Sequence, residues 1–244
     1  MVLPLWEENP FTAPVKPVVT WGLIALNVLI FVVQIAVPGD AVTAAAIGFG
    51  ATPAAVLHLD PLAIDMQRTG SGGWLWPELT IITSMFLHGD VLHLLGNMLF
   101  LFVFGDNIEL TLGRTRFLIF YIVCGIGAAL AYILAGPYST APLVGASGAI
   151  AGVVAAYAMI RPCAKVTVVV IRFIVLRVKA FWVVGGWILW QFVQIAMQEP
   201  GDQVAYSAHI GGLVVGAVLL LLIKGPDVVL FECLDHEEKA GDVA

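Results

Sequence analysis

Between Val18 and Ile223 the chain passes again and again through apolar runs of the length that crosses a bilayer, and no other feature limits its fold as much. A spanning helix needs roughly 20 mainly apolar residues. The candidate segments are 18–37, 81–104, 117–135, 146–160, 180–197 and 204–223. Residues 38–80, with Gly, Pro and several acids, read as a long, partly amphipathic loop, and 166–176 as an interfacial or re-entrant stretch, being short and holding Arg172. Only 11% of the residues are charged and 60% are hydrophobic. A soluble domain averages about 25% charged residues, so the solvent of this chain is largely lipid. The expected fold class is an all-α membrane protein with six transmembrane helices. It has one membrane domain over 18–224, an N-terminal segment over 1–17 and an acidic tail over 225–244.

Six spans put both termini on one side, and the positive-inside rule chooses which. With cytoplasmic termini the inner segments hold Lys16, Arg114, Arg116, Arg161, Lys165, Arg172, Arg177, Lys179 and Lys224, and the outer loops hold only Arg68. A multi-pass location in the cell (plasma) membrane with both termini cytoplasmic is the expectation. Met1–Ala13 carries no Lys or Arg and includes Glu7, Glu8 and Pro10, which does not read as a signal peptide. Net charge is −6 with no basic block, so nucleic acid is not an expected partner. Cys124, Cys163 and Cys233 are scattered and point to neither a disulfide framework nor a zinc site.

Ionisable groups at membrane depth cost roughly 2.5–3.5 kcal/mol on insertion scales, so those present usually face a protein interior or a cavity. The second segment holds His88, His93 and Asn97, and the last two are four apart, on one helical face. The sixth holds His209 near its outer end, and the fourth opens with Gly145-Ala146-Ser147-Gly148. Segments two, four and six all run from outside to inside, so these groups converge on one depth. Gly148 and Gly152 form a Gly-x-x-x-Gly on the fourth segment, and Gly212 and Gly216 form another on the sixth. Small residues at that spacing let two backbones approach closely, which would carry His209 toward Ser147. A serine hydroxyl becomes a nucleophile when a base within hydrogen-bond reach takes its proton, and His93 and Asn97 are candidate donors to a developing oxyanion. Bland readings stand beside this one. Gly-x-x-x-Gly is usually only structural, a lone membrane Ser usually bonds its own backbone, and a lone membrane His serves as a relay or ligand. On the residues alone a serine-type site, a small-solute transporter and a purely structural bundle all remain open. The helical zinc spacing is absent, and Ala149 stands where a nucleophile elbow has its last Gly.

Three motifs in order carry a resemblance. Phe86-x-His88 followed by His93-x-x-x-Asn97-Met98, then Gly145-Ala146-Ser147-Gly148, then Ala208-His209-Ile210-Gly211-Gly212 with Gly216, resemble the signatures of the rhomboid intramembrane serine proteases, specifically the bacterial-type six-helix members. The resemblance covers about Pro10 to Lys224 and implies a rhomboid-like bundle. By it Ser147 is the nucleophile and His209 the general base, with His93, Asn97 and the Ser147 backbone N–H lining the oxyanion hole. His88, Gly145, Gly148, Gly152, Gly212 and Gly216 have structural places near the site. The family's dyad lacks a carboxylate. Segments four and six hold no Asp or Glu, and Asp202 lies about two turns before His209. The implied activity is endopeptidase cleavage of single-pass transmembrane substrates near the outer membrane boundary, without cofactor or metal, the partners being those substrates and the bilayer. The alternative within the family is an inactive binder of transmembrane clients. Two positions depart from the pattern. Leu79 and Thr80 replace Trp-Arg in the first external loop, with Trp74 and Trp76 upstream, and Ala151 replaces an aromatic that supports the histidine ring in some members, leaving Tyr206 as a candidate to orient His209. A substrate entry seam is expected from Phe100, Phe102, Trp187, Trp190 and Phe192, and a cap from Gln198–Gln203.

Overall fold

The computed structural model describes residues 2–7, 16–37, 39–73, 75–170, 174–197, 205–231 and 233. Trp74, Arg172, the expected cap over 198–203 with Asp202, and the tail from 234 onward lie outside the described residues. Five described helices are long and apolar enough to cross a membrane: α1 (Val18–Ala36), α6 (Val91–Leu112), α7 (Arg114–Ala135), α9 (Ala180–Met197) and α10 (Tyr206–Ile223). A sixth, α8 (Ser147–Ile160), has 14 residues and runs through the middle of the bundle, with Gly148–Tyr157 buried. The main body is therefore a helical membrane bundle.

Side-chain contacts fix the direction of the helices. The Glu109 carboxylate near the end of α6 accepts the backbone N–H groups of Val19 and Thr20 at 2.9 and 2.7 Å and the Thr20 hydroxyl at 2.8 Å. It thus caps the start of α1, where no side chain of α1 itself caps, and puts negative charge at a helix N-terminus. At the other end of α1, Gln34 exchanges hydrogen bonds with the backbone of His88, at 3.4 and 3.3 Å. Helices α1 and α6 are thus antiparallel, and the following long helices alternate.

The second spanning helix differs from the expected 81–104. Residues 77–86 form a 3-10 turn (Pro77–Leu79), the single-turn α5 (Thr80–Thr83) and another 3-10 turn (Ser84–Phe86). Leu87 is extended, and α6 begins only after Asp90, whose side chain accepts the N–H of His93 at 2.8 Å. The helix then continues to Leu112, because Gly105, Asn107 and Glu109 are buried against protein rather than lipid. Hydropathy sees their polarity and not their burial.

The first loop is three short helices. In α2 (Ala41–Phe49) and α4 (Pro61–Gly70) the caps are Asp40 and Asp60, which accept the N–H groups of Thr43 and Leu62, while α3 (Pro53–Val56) starts on a proline. Gln67 Nε2 donates to the Gly50 carbonyl at 3.1 Å, and the Thr83 hydroxyl donates to Phe49 at 2.6 Å. His58 and Glu78 pair at 2.6 Å, and that hydrogen bond holds the Glu78 carboxyl below its ordinary range.

Of residues 166–176, expected to be interfacial or re-entrant, the described ones, 166–170 and 174–176, instead belong to a three-stranded antiparallel sheet. Strand β1 (Val2–Glu7) pairs with β2 (Lys165–Val170), which pairs with β3 (Ile174–Lys179). The run alternates: Val166 and Val168 are buried while Lys165 is exposed, the period of a half-buried strand, and its β-branched residues fit a pleated surface. The scattered cysteines were misread as well, since Cys163 and Cys233 are disulfide-bonded. The turn after α8 and the segment after α10 end side by side, and the Phe231 N–H donates to the Met159 carbonyl at 2.7 Å. Chain closure brings together what sequence spacing keeps 70 residues apart. Lys16, Arg114, Lys165, Lys179 and Lys224 gather at this end of the bundle. Arg68, its guanidinium 5.6 Å over Trp76, lies at the other.

Candidate active site

Close approach of α8 to its neighbours builds the site. A Cβ on Gly212 would strike the Gly148 carbonyl, one on Gly216 would strike Gly152, and on the opposite side one on Gly148 would strike Ala128 of α7 and one on Gly152 the sulfur of Cys124. Helix α8 is thus held backbone to backbone against α10 and against the small side chains Ala128 and Cys124 of α7. That packing fixes the height of Ser147, the first residue of α8, against His209, in the first turn of α10. His209 Nε2 lies 2.8 Å from Ser147 Oγ, and both residues are half-buried.

Gly145 shapes the other wall. Its φ of +120° is a region side-chain-bearing residues rarely adopt. A Cβ there would also lie 2.8 Å from His93 Nε2 and 3.6 Å from Asn97 Nδ2. Its N–H donates to the Ser84 carbonyl at 2.8 Å, tying the loop before Ser147 to the turn before α6. His93 stands edge-on to the fully buried His88 ring, with centroids 5.1 Å apart. Asn97 Nδ2 bonds His88 Nε2 at 2.9 Å. An amide nitrogen carries two N–H groups, so one remains beyond the bond to His88. The loop and the two ring-bearing turns therefore gather His93, Asn97 and the backbone N–H at the start of α8 around one small space. A separate cavity of about 10 Å³, room for about one water, lies on the α7 side of Ser147 and is lined by Met85, Ala128, Gly145 and Ala208, not by His93 or Asn97. A larger open groove of about 530 Å³ between α7 and α10, lined by Leu130, Ile210 and Val214, does not reach Ser147.

Several participants were not anticipated. The carbonyl oxygen of Gln191, a buried residue of α9, lies 2.8 Å from His209 Nδ1. The indole of Trp187, one turn earlier on α9, lies along the imidazole at 5.8 Å with a 35° tilt. Tyr206, the expected support, has its ring 6.4 Å away and its hydroxyl 2.9 Å from the Gln194 amide nitrogen. Ala151 is buried beside Leu213. The expected seam is only partly formed: Phe100 and Trp187 stand 6.3 Å apart, Phe102 packs on Trp21 of α1, and Trp190 and Phe192 are exposed. The signal for Gln191 was present as Trp187-x-x-x-Gln191, two residues sharing one face of an otherwise apolar helix.

A hydroxyl hydrogen-bonded to an imidazole, with candidate N–H donors close to the preceding loop, is equipped for acyl transfer. Comparison with known proteins points the same way. A model of the Rhomboid domain matches residues 75–225, more than half of the chain. The chain is 34% identical over 172 residues to rhomboid protease AarA of Providencia stuartii, covering 62% of this chain and 56% of that protein. It is 32% identical over 137 residues to rhomboid protease GluP of Bacillus subtilis, covering 56% and 23%. It is 30% identical over 151 residues to the mitochondrial rhomboid protein 1 of Saccharomyces cerevisiae, covering 58% and 40%. In each case it spans little more than half of the relative's length or less. With the helical membrane bundle and the match across its second half, the chain is a multi-pass membrane protein and belongs to the rhomboid family.

Proposed function

We propose that this chain is an intramembrane serine endopeptidase that cleaves single-pass transmembrane substrates near the outer membrane boundary through a Ser147–His209 dyad. The observation that carries the proposal is the 2.8 Å separation of His209 Nε2 and Ser147 Oγ at the blunt end of α8. Fourteen residues make a helix of about 21 Å at 1.5 Å per residue, against a hydrocarbon core of roughly 30 Å. With Arg161 at its other end near an interface, the Ser147 end stops inside the membrane. The substrate helix must unwind there, because an intact helix keeps its carbonyls bonded within itself. Small or helix-breaking residues near the boundary therefore favour cleavage.

In the proposed cycle His209 Nε2 takes the Ser147 proton as Oγ attacks the scissile carbonyl. The carbonyl oxygen becomes an oxyanion facing the backbone N–H of Ser147 and the side chains of His93 and Asn97. Collapse expels the amine, which receives the proton from His209, and water then hydrolyses the acyl-enzyme by the same exchange. The relatives named as proteases support this reading, as does a site that retains both dyad residues, against an inactive client binder.

The orientation belongs to the same proposal. Basic residues gather at the end of the bundle away from Ser147, so the positive-inside rule puts both termini in the cytoplasm and the dyad near the outer face of the plasma membrane. Glutathione keeps cytosolic thiols reduced, so in that orientation the Cys163–Cys233 disulfide opens in the cell and closes in the isolated, oxidised protein. In intact cells a maleimide that crosses the membrane should then label both cysteines, and one that cannot cross should label neither. The activity is tested with a reporter transmembrane substrate: Ser147→Ala and His209→Ala are each expected to abolish cleavage, and cleavage persisting in Ser147→Ala removes the nucleophile assignment. Solute flux through reconstituted vesicles without proteolysis would favour the transporter reading instead.

A further inference from the structure

We infer that Gln191 is the positioning residue of His209: its side-chain amide fixes the imidazole tautomer, which makes α9 part of the base's support as well as a wall of the site. The inference rests on the dyad reading above.

A neutral imidazole has one nitrogen that donates and one that accepts. For His209 to take a proton from Ser147, Nε2 must be the acceptor and Nδ1 must carry the hydrogen. Nδ1 faces Gln191 Oε1 at 2.8 Å, an acceptor that demands that tautomer. The amide could in principle be turned over, but its nitrogen lies 3.4 Å from the Trp187 carbonyl, which only accepts. Reversing the amide would set oxygen against oxygen there and offer an N–H to Nδ1, leaving the hydrogen on Nε2, where it blocks general-base action. The Trp187 carbonyl thus selects the amide orientation, and the amide selects the tautomer. Trp187 also supplies the ring face along which the imidazole lies. Both contacts come from one turn of α9, and neither comes from Ala151 of α8.

The choice of a neutral partner fits the medium. A carboxylate at this place would set the same tautomer, but it would bring a charge into a buried site at membrane depth, which is costly. An amide orients the ring without charge. A substrate that pushes α9 aside therefore loosens the base until α9 returns, so binding and alignment are linked through one helix.

The test compares wild type, Gln191→Leu and Gln191→Glu of the full chain in lipid nanodiscs, reading kcat and KM on a reporter transmembrane substrate across pH, thermal unfolding, and covalent labelling of Ser147 by a fluorophosphonate. Gln191→Leu is expected to lower kcat and the labelling rate by roughly 10- to 100-fold, up to the lower end of the roughly 100- to 10,000-fold that general-base action contributes, at little change in KM or unfolding temperature. Gln191→Glu restores the acceptor. It is expected to recover most of kcat and to move the acidic limb of the kcat profile upward by about one pH unit, since a neighbouring anion favours the protonated ring. His93 on α6 and Tyr206 on α10, the titratable groups also near His209, are the same in all three proteins, so the shift reports position 191. As a readout independent of turnover, ¹⁵N NMR of His209 should show Nδ1 protonated in wild type and a tautomer mixture in Gln191→Leu. Gln191→Leu retaining kcat and the wild-type tautomer, or Gln191→Glu failing to recover and leaving the pH limb in place, overturns the positioning role. If wild type labels at Ser147 in a His209-dependent way, the dyad reading survives that outcome. If wild type neither labels nor cleaves, the dyad reading falls and the positioning role falls with it.

Discussion

Helices α8 and α9 flank the same histidine and are held in opposite ways. Helix α8 is buried along its length, and its glycines are points of contact: at Gly148 and Gly152, and at Gly212 and Gly216 facing them, an added methyl group would collide with neighbouring atoms. Helix α9 is exposed over most of its surface, with Ala180, Val184 and Gln191 its buried residues, and Gly185 and Gly186 face open space. Glycine therefore means two different things in one bundle. On α8 and α10 it sets the distance between backbones and hence the Ser147–His209 geometry. On α9 it leaves a surface that adjoins lipid. Ser147 sits on the fixed element, and Gln191 and Trp187, which flank the His209 ring, sit on the loosely held one. Under the proposed function such a division is what a substrate arriving from the lipid would need, with Ser147 held in place and the exposed helix beside His209 free to give way.

The contrast is easiest to break on the fixed side. Gly212→Val drives a branched side chain into the Gly148 carbonyl, and overpacking of this kind is expected to cost about 3 kcal/mol or more. Because folded proteins hold only about 5–15 kcal/mol in reserve, the expected outcome is a severe loss of folded protein, read as yield and unfolding temperature. A variant that folds normally would show that the two helices are not locked by contact. Gly145→Ala comes next. It keeps the bundle but puts a side chain at φ +120° and against His93, strain of about 1–3 kcal/mol. The measured result should be a kcat lower by roughly 10- to 100-fold, with an unfolding temperature lower by about 2–4 °C for each kcal/mol of that strain. On the loose side Gly185→Ala should be neutral or slightly stabilising, by up to about 1 kcal/mol, because alanine favours a helix over glycine and nothing stands in its way. Loss of stability there as large as at Gly216→Ala would erase the distinction between the helices. The smallest effect is expected at Cys233→Ser, far from the dyad. Reporter cleavage should stay at the wild-type level while the segment after α10 becomes easier to cut by added protease.

What could be read ahead of the structure follows from how local each signal is. Ser147, His209 and the glycine stripes were legible because helical periodicity alone puts them on facing surfaces at one depth. The start of α6 was not, since an apolar average over 81–90 hides Leu87 in extended backbone and Asp90 acting as a cap. Its end was missed for the converse reason, because Glu109 looks unfit for lipid until its partners on α1 are known. The sheet was hidden by treating valines broken by Arg172 as membrane surface rather than counting their alternation. Gln191 escaped because a lone amide in an apolar helix has no meaning until the helix beside it is known, and Tyr206, nearer in sequence to His209, was the more visible candidate. Pairing of Cys163 with Cys233 depends wholly on where two helices end.

If Ser147 and His209 work as one chemical unit, covalent labelling reveals it without reference to any substrate. Wild-type protein in bilayers, treated with a fluorophosphonate and mapped by mass spectrometry, should carry one adduct on Ser147. The adduct should vanish in His209→Ala and persist in Gly185→Ala. An adduct on another residue, or labelling of Ser147 undiminished in His209→Ala, would contradict the dyad.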